Sequence, residues 1–598
     1  MKKNILLIGM LASTLMMVGQ EKESYGPIST ITAASFKVTE RINDIPDEKE
    51  NTYEVGSAMP NMRGRIEHVS SIPLPNGVDP VWQKTKGTGV LKSPTLEWNG
   101  LSGANPPDPS GAVGPNHYMQ MVNSQYRVFD KTGTILKTGS LGSLLGGGNA
   151  GDPIVLYDKF ADRWFISQFD FSNNLQVAVS QTGDPTGAYN SYAFNVGASF
   201  PDYPKYSVWS DGYYVTSNKS GNEAFVMERD KMIAGDAGAQ MIQFNVPSLS
   251  TAGFFSTLPA HAGSTLPSVG TPNQIFYFQD NSWGGVGSDH IKVWDVSVDW
   301  TTTSNSTISS PYQIAVSAFD SGFTGGWDNI TQPGTSVKLD AVPEAFMFMA
   351  NYREFSTHNS MVMCHSVDVD NTNHAGIRWY ELRQTSGSDW TLYQEGTYAP
   401  DGDSRWLGSI NMDKYGNIAL AYCVSGTNTY PSLRYTGRYA SGQLGQMDFL
   451  EQSAIEGSSS KSGDNRWGDY AQMTIDPSDD ATFWHTGPYL YLGGALRTRI
   501  FALTFPDSFL SIADAYMSKT LVVGYLGNNK FNLTIRDLNE EVNISVVNTL
   551  GQNIKAVSNI NTGKDLNYQL DLSEFSAGYY IINVSNSNFK KAHKVWVK

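Results

Sequence analysis

Four arginines in the chain stand immediately before a tryptophan: Arg163–Trp164, Arg378–Trp379, Arg405–Trp406 and Arg466–Trp467. A guanidinium can stack on an aromatic face or hold a carboxylate through two parallel hydrogen bonds. Two of the pairs lie in near-repeats, "GDSRWLGSINMD" from Gly402 and "GDNRWGDYAQMTID" from Gly463, each with an aspartate two residues before its arginine. Residues i and i+2 of a strand share a face, so Asp403 would neighbour Arg405, and Asp464 would neighbour Arg466. The spacing supports two readings. In one, the tryptophans fill gaps between packed sheets while the arginines pair locally with aspartates. In the other, both face a shared cleft and take an acidic ring, such as a uronate or a sulfated sugar. The candidate ligand-binding residues are Arg163, Trp164, Arg405, Trp406, Arg466, Trp467 and Asp469.

Other chemistry is thinly signalled. His358, His365 and His374 form the densest histidine group, but their spacing fits no standard zinc signature. "DVDNTNH" from Asp368 places oxygen ligands on alternate residues, yet it lacks the glycine and distal glutamate of an EF-hand, and a solvated turn explains it equally well. Gly146, Gly148 and Gly151 match G-x-G-x-x-G formally, but "DPIVLYDKF" after them reads as a strand, where a dinucleotide site needs a helix. There is no Gly-x-Ser-x-Gly elbow and no Walker loop. Paired carboxylates of a glycosidase meet only in three dimensions, and Asp202, Asp403, Asp464 and Asp469 are the starting set. His117 and Tyr118 could serve a lyase as acid and base, or lie in the core. No metal site and no cofactor is expected.

These residues must be positioned by strands. Only 17% of the residues are charged and 12% are aromatic, with 57 Gly, 27 Pro and 30 Tyr, a mixture that suits short strands joined by tight turns. Strand-length runs arrive continuously from about Leu96 to Pro506, among them "NLQVAVSQ", "QIFYFQD", "IKVWDVSVDW" and "IALAYCVS". One short helix is allowed at "ERDKMIAG". "VFDKTGTIL" and "NMDKYGNIAL" both carry Asp-Lys-x-Gly between strands, with a glycine free to take positive φ. Grouping these signals gives units beginning near Asp108, Asp152, Pro201, Pro267, Gly334, Pro400 and Gly463. A unit of three or four strands cannot bury both faces alone, so a ring of such sheets is the natural closure. The fold class expected is all-β, a seven-bladed β-propeller over 96–506; a pair of β-sandwiches is the competitor.

The ends differ from the middle. Lys2 and Lys3, an apolar run from Ile5 to Val18 and then Gly19 have the three-part build of a secretory signal peptide over residues 1–19. The run is shorter than the ~20 apolar residues of a membrane span, and no later stretch reads as one. Residues 20–95 are polar and lack sustained periodicity, reading as a leader, linker or propeptide with disorder in places. The net charge of −15 argues against nucleic-acid binding. Two cysteines, Cys364 and Cys423, are too few for a disulfide framework; they either pair after export or remain buried thiols.

From about Asp514 to Lys598 aromatics thin out and the runs read as a small Ig-like β-sandwich. "VVNTLGQNIKAV", then "LDLSEFSAGYYIINV", then the terminal "KVWVK" resemble the C-terminal sorting domain of the type IX secretion system of Bacteroidetes. The matching positions are Leu550, Gly551, Leu572, Gly578, Tyr580 and Lys594 to Lys598. The resemblance implies the type IX machinery as partner and release outside the cell or attachment at its surface. It implies nothing about the cargo's activity. "DPSGAVGPNHYMQMVN", "DPIVLYDKFADRWFISQF", "FPDYPKYSVWSDGYYVT" and "NRWGDYAQMTIDPSDDATFW" resemble uncharacterised secreted bacterial propeller-like proteins, which bears on architecture and lends no chemistry. The functional expectation is an exported binding or adhesion module for an extracellular ligand such as a glycan. The alternatives are a polysaccharide lyase or glycoside hydrolase working in the propeller funnel, and a passive surface-layer component.

Overall fold

The computed structural model describes residues 22–49, 72–89, 94–505 except 252, 253, 255 and 386, and 521–598 except 537–540, 562–564 and 586–589. Residues 1–19, read from the sequence as a signal peptide, lie outside the described residues. The protein is nearly all-β, with 49% strand and 4% helix. It divides into two compact units, Met1–Phe505 and Pro506–Lys598. Among the described residues no helix is long and apolar enough to cross a membrane.

In the first unit the strands form antiparallel groups that follow one another along the chain. They occupy residues 110–140, 154–195, 202–245, 258–315, 350–398, 404–455 and 472–503. The Pro267 and Gly334 divisions expected from sequence are therefore misplaced. The fourth group opens at Leu258 and the fifth at Ala350, because residues 319–349 form a long connection whose only strands are Asp328–Ile330 and Leu339–Asp340. Local chemistry sets the hairpins as anticipated. In the Asp-Lys-x-Gly turns, the Asp130 carboxylate accepts from the Thr132 and Thr134 amides while Gly133 takes φ 91°. Asp413 accepts from Tyr415 and Asn417, with Gly416 at φ 83°. The expected short helix is Arg229–Ala234, ended by Gly235 in the left-handed region.

The first strand of each group adjoins the first strand of the next, and the last group returns to the first. Side chains stitch these neighbours together. Ser110 Oγ accepts from the Val155 amide, and Gln472 Nε2 donates to the Val155 carbonyl. Asn351 Nδ2 donates to the Ile410 carbonyl at 2.7 Å, and Asn411 Nδ2 to the Met473 carbonyl at 3.1 Å. Large rings fill the spaces between sheets, with Trp164, Trp209, Trp294, Trp379, Trp406, Trp467 and Trp484 all fully buried. This is how a sheet that is apolar on both faces escapes water: its neighbours cover it.

Residues 22–89 depart most from expectation. The described parts of this polar segment are not a linker; they are a belt laid on the outer edges of the sheets. Ser24–Tyr25 pairs with Thr307–Ser309, Ser29–Thr32 with Gln240–Asn245, and Ser35–Val38 with Tyr189–Asn195. The Glu48 amide donates to the Thr138 carbonyl of the first group. The belt continues with Trp82–Gln83 alongside Thr391–Tyr398, Gly89 bridged to Phe449, and Leu96–Ser102 paired with Ala495–Leu503. Strands of this belt thus pair with edges of five groups, and Glu48 and Gly89 make backbone contacts with the first and sixth, which covers unpaired backbone donors and acceptors. The first strands of the belt gave no period-two signal because they are polar and only two to four residues long, too short to carry a sustained alternation.

The second unit has two sheets, Leu521–Gly527/Lys530–Arg536/Asp565–Asp571 and Asn553–Asn561/Glu541–Asn548/Gly578–Ser585/Lys590–Val597. Both contribute to one apolar core containing Leu533, Val546, Leu570, Ile582, Val584 and Val597. Gly551 takes φ 79° in the turn after Asn548, and Tyr580 is buried with its hydroxyl donating to the Ser576 carbonyl.

Candidate functional site

The arginine–tryptophan pairs do not form a shared cleft. Trp406 and Trp467 do meet, with ring centroids 5.5 Å apart, and Trp467 Nε1 approaches Cys423 Sγ at 3.3 Å. Their arginines go elsewhere. Arg405 is fully buried and makes a bidentate pair with Glu451 (2.8 and 3.0 Å) and a further bond to Asp401 at 2.8 Å. The expected i, i+2 partner Asp403 offers Arg405 only its backbone carbonyl; its carboxylate accepts from Thr429. Asp464 accepts from the Arg466 amide and pairs with Lys461, while Arg466 Nη2 lies 3.4 Å from Asp469. Arg163 donates to the carbonyls of Ala161 and Asp162, and Trp164 is buried with Nε1 on the Gly183 carbonyl. Arg378 is buried between Asp79 and Glu395. The repeat is therefore architectural, an inter-sheet tryptophan contact with charge neutralised beside it.

The histidine and calcium-loop motifs resolve in the same way. His365 is buried and stacked 4.1 Å from Phe278. The Asp368 carboxylate accepts from the amides of Asp370, Asn373 and His374, closing its own turn. Both cysteines are buried and free.

Two other places bring polar groups from several sheets together, at opposite ends of the first strands. At the N-terminal ends, Asp108, Asp152 and Asp469 are buried, with carboxylate oxygens all within 4.8 Å of one another. Asp108 and Asp152 hold positive φ (41° and 47°), a region aspartate tolerates better than most residues, and each precedes a proline that opens its strand. The Asp469 amide donates to Asp108 at 2.6 Å, and the Tyr203 amide donates to Asp152 at 3.0 Å. Lys205 Nζ lies 3.2 Å from the Tyr203 ring and 4.4 Å from that of Tyr470. Three carboxylates are the donor type a hard divalent cation takes. Here two backbone amides and the Arg466 guanidinium already supply positive poles. Of the residues singled out from sequence, Asp469 alone is in this cluster; repeated Asp-Pro steps were the available signal for the other two.

At the C-terminal ends of the first strands lies a cavity of about 30 Å³, room for about two water-sized polar groups. Its lining includes Lys159, His261, Gly263, Asn351, Arg353 and Thr474, from different strand groups. The Val208 amide donates to His261 Nδ1 at 3.2 Å, so the ring proton sits on Nε2. Burial pushes the His261 imidazole down to about 4, keeping it neutral. Asn351 is 3% exposed; its Nδ2 is committed to Ile410, and its Oδ1 has no partner. Arg353 is held by Asp480 through two bonds of 2.8 and 3.1 Å, and Lys159 Nζ lies 3.6 Å from the same carboxylate. Two cations face one anion. No sequence motif marks His261 or Asn351; the parallel pairing of Ala260–Ala262 with Ala350–Tyr352 places them opposite each other.

Residues 527–598 match the secretion system C-terminal sorting domain. The chain carries a type IX sorting domain at its C-terminus and is accordingly a secreted, cell-surface or extracellular protein. No curated protein matches the chain. Similar solved structures include an endo-arabinase from Bacteroides thetaiotaomicron, with 12% identity over 50% of this chain and 95% of that one and a TM-score of 0.25. A polysaccharide lyase of family PL25, an ulvan lyase, has 11% identity over 70% and 94%, with a TM-score of 0.35. PorZ, a surface component of the type IX secretion system of Porphyromonas gingivalis, has 10% identity over 82% and 70%, with a TM-score of 0.18. None of these three bears on the activity of this chain.

Proposed function

We propose that residues 96–506 form a seven-bladed β-propeller that works outside the cell as a binding module for a glycan, delivered by the sorting sandwich over 514–598 and by a signal peptide at 1–19. The blade count is supported by the strand groups whose first strands adjoin in sequence and return to the start, with Leu96–Ser102 joining the last group. The binding role is carried by one observation. The C-terminal ends of the first strands surround a cavity whose polar atoms are not all used by the protein itself, Asn351 Oδ1 above all. A buried acceptor of this kind is open to a hydrogen bond from a ligand hydroxyl.

The test is a glycan array probed with the purified full-length chain, followed by an activity screen on acidic polysaccharides. Saturable binding without turnover is the expected result. Turnover would replace the binding module with an enzyme, and a blank array would remove the glycan.

A further inference from the structure

The cavity at the C-terminal ends of the first strands has a definite polarity. His261 presents an N–H donor, since its other nitrogen already accepts from Val208. Asn351 presents an acceptor fixed in orientation by its amide bond to Ile410. Both point at the same space. A methyl group built on Gly263 would stand 3.3 Å from His261 Cδ2, 3.5 Å from its Nε2 and 3.7 Å from Asn351 Oδ1, so the imidazole would have to give by a few tenths of an ångström. Lys159 lines the same cavity, and with Arg353 already bound bidentately by Asp480 the local balance is positive. Thr474 adds a hydroxyl with no partner.

We infer that this cavity is a subsite for a carboxylate that carries a neighbouring hydroxyl, as presented by the end of an acidic sugar. The carboxylate accepts from His261 Nε2–H and the Lys159 ammonium, and the hydroxyl donates to Asn351 Oδ1. An inorganic anion satisfies the donors and leaves Asn351 unpaired; a neutral sugar can bond both His261 and Asn351 but brings no charge to the Lys159 ammonium. The small volume admits the acidic end group alone, with the rest of the ligand outside. This assignment rests on the glycan-binding reading above and narrows it to one chemistry.

The experiment is calorimetric titration of the full-length protein with sodium glucuronate, using acetate, sulfate and glucose as separate probes. Glucuronate is expected to bind saturably, with acetate and sulfate weaker by about tenfold or more and glucose silent. Gly263→Ala fills the cradle without removing any hydrogen bond. Gly263 is not in the left-handed region, so the fold should hold while glucuronate affinity falls about tenfold or more. Lys159→Met should lower it similarly, because Arg353 still neutralises Asp480. Equal binding of sulfate or acetate makes this a plain anion site and overturns the inference. Absence of glucuronate binding, or binding unchanged in Gly263→Ala, also overturns it. Running the glycan array on Gly263→Ala separates the two readings. An array positive and unchanged by the variant keeps the binding module and sinks this subsite; a blank array beside Gly263-sensitive glucuronate binding does the opposite.

Discussion

Arg378 and Asp79, 299 residues apart in the chain, form a fully buried ion pair with Nη1 3.0 Å from Oδ2. Glu395 takes the other arm of the guanidinium at 2.7 Å, and Thr397 also bonds Asp79. The pair ties the polar N-terminal belt to the fifth strand group, deep enough that water cannot replace either partner. Replacing Asp79 with alanine should therefore cost about 3–5 kcal/mol, the scale for breaking one side of a buried pair. The urea midpoint of Asp79→Ala should fall accordingly; a shift within error of wild type would show that the belt is not held by this contact.

Removing residues 22–49 would uncover the edges of Thr307–Ser309, Gln240–Asn245 and Tyr189–Asn195 together. Open edges recruit other chains. The truncated protein should show a lower melting temperature and concentration-dependent light scattering. A monodisperse monomer of wild-type stability would mean that the segment is a dispensable leader after all.

Acid sensitivity should centre on Glu451. Burial alone would raise its carboxyl, but the Arg405 charge and hydrogen bonds outweigh that and hold it at about 2, against an ordinary value of 4.5. A carboxyl lowered in the folded state contributes stability that is present above its unfolded value. That contribution is lost as pH falls from 4.5 towards 2. Glu451→Gln should flatten chemical-denaturation stability across that window and cost about 3 kcal/mol near neutrality.

Glu344 behaves in the opposite sense. Burial pushes its carboxyl up to about 8, outweighing a hydrogen bond from Trp327 that acts the other way. An acid raised in the folded state favours folding at low pH and opposes it as pH climbs through 4.5 to 8. Glu344→Gln should be close to neutral at pH 4 and stabilising by roughly 1–3 kcal/mol above pH 8. Equal effects at both pH values would place the Glu344 carboxyl in an ordinary environment.

Deleting Gly578 to Lys598 removes the strands Gly578–Ser585 and Lys590–Val597, the first of which lies between two others in its sheet. Five of the core side chains go with them: Tyr580, Ile582, Val584, Val595 and Val597. Fractionation should find the truncated chain retained in the periplasm. Normal surface delivery would show that recognition needs only the earlier part of the domain.

What the sequence determined by itself is local. The apolar run behind two lysines, the period-two strands, the Asp-Lys-x-Gly turns and the ordered tail motifs each act within about a dozen neighbouring residues. A one-dimensional pattern therefore holds them in full. The partners of the arginines are another matter. Arg405 could meet Asp403 or Glu451, and only the hairpin that brings Glu451 across the sheet, 46 residues away, favoured the second. The belt was illegible for a related reason: its strands draw stability from edges supplied by remote groups, so their own residues need no periodicity. The polar cavity is more distant still from any motif. Its donor and its acceptor are ordinary residues on strands from different groups, and they face each other only because the sheets pack side by side and place the ends of their first strands together.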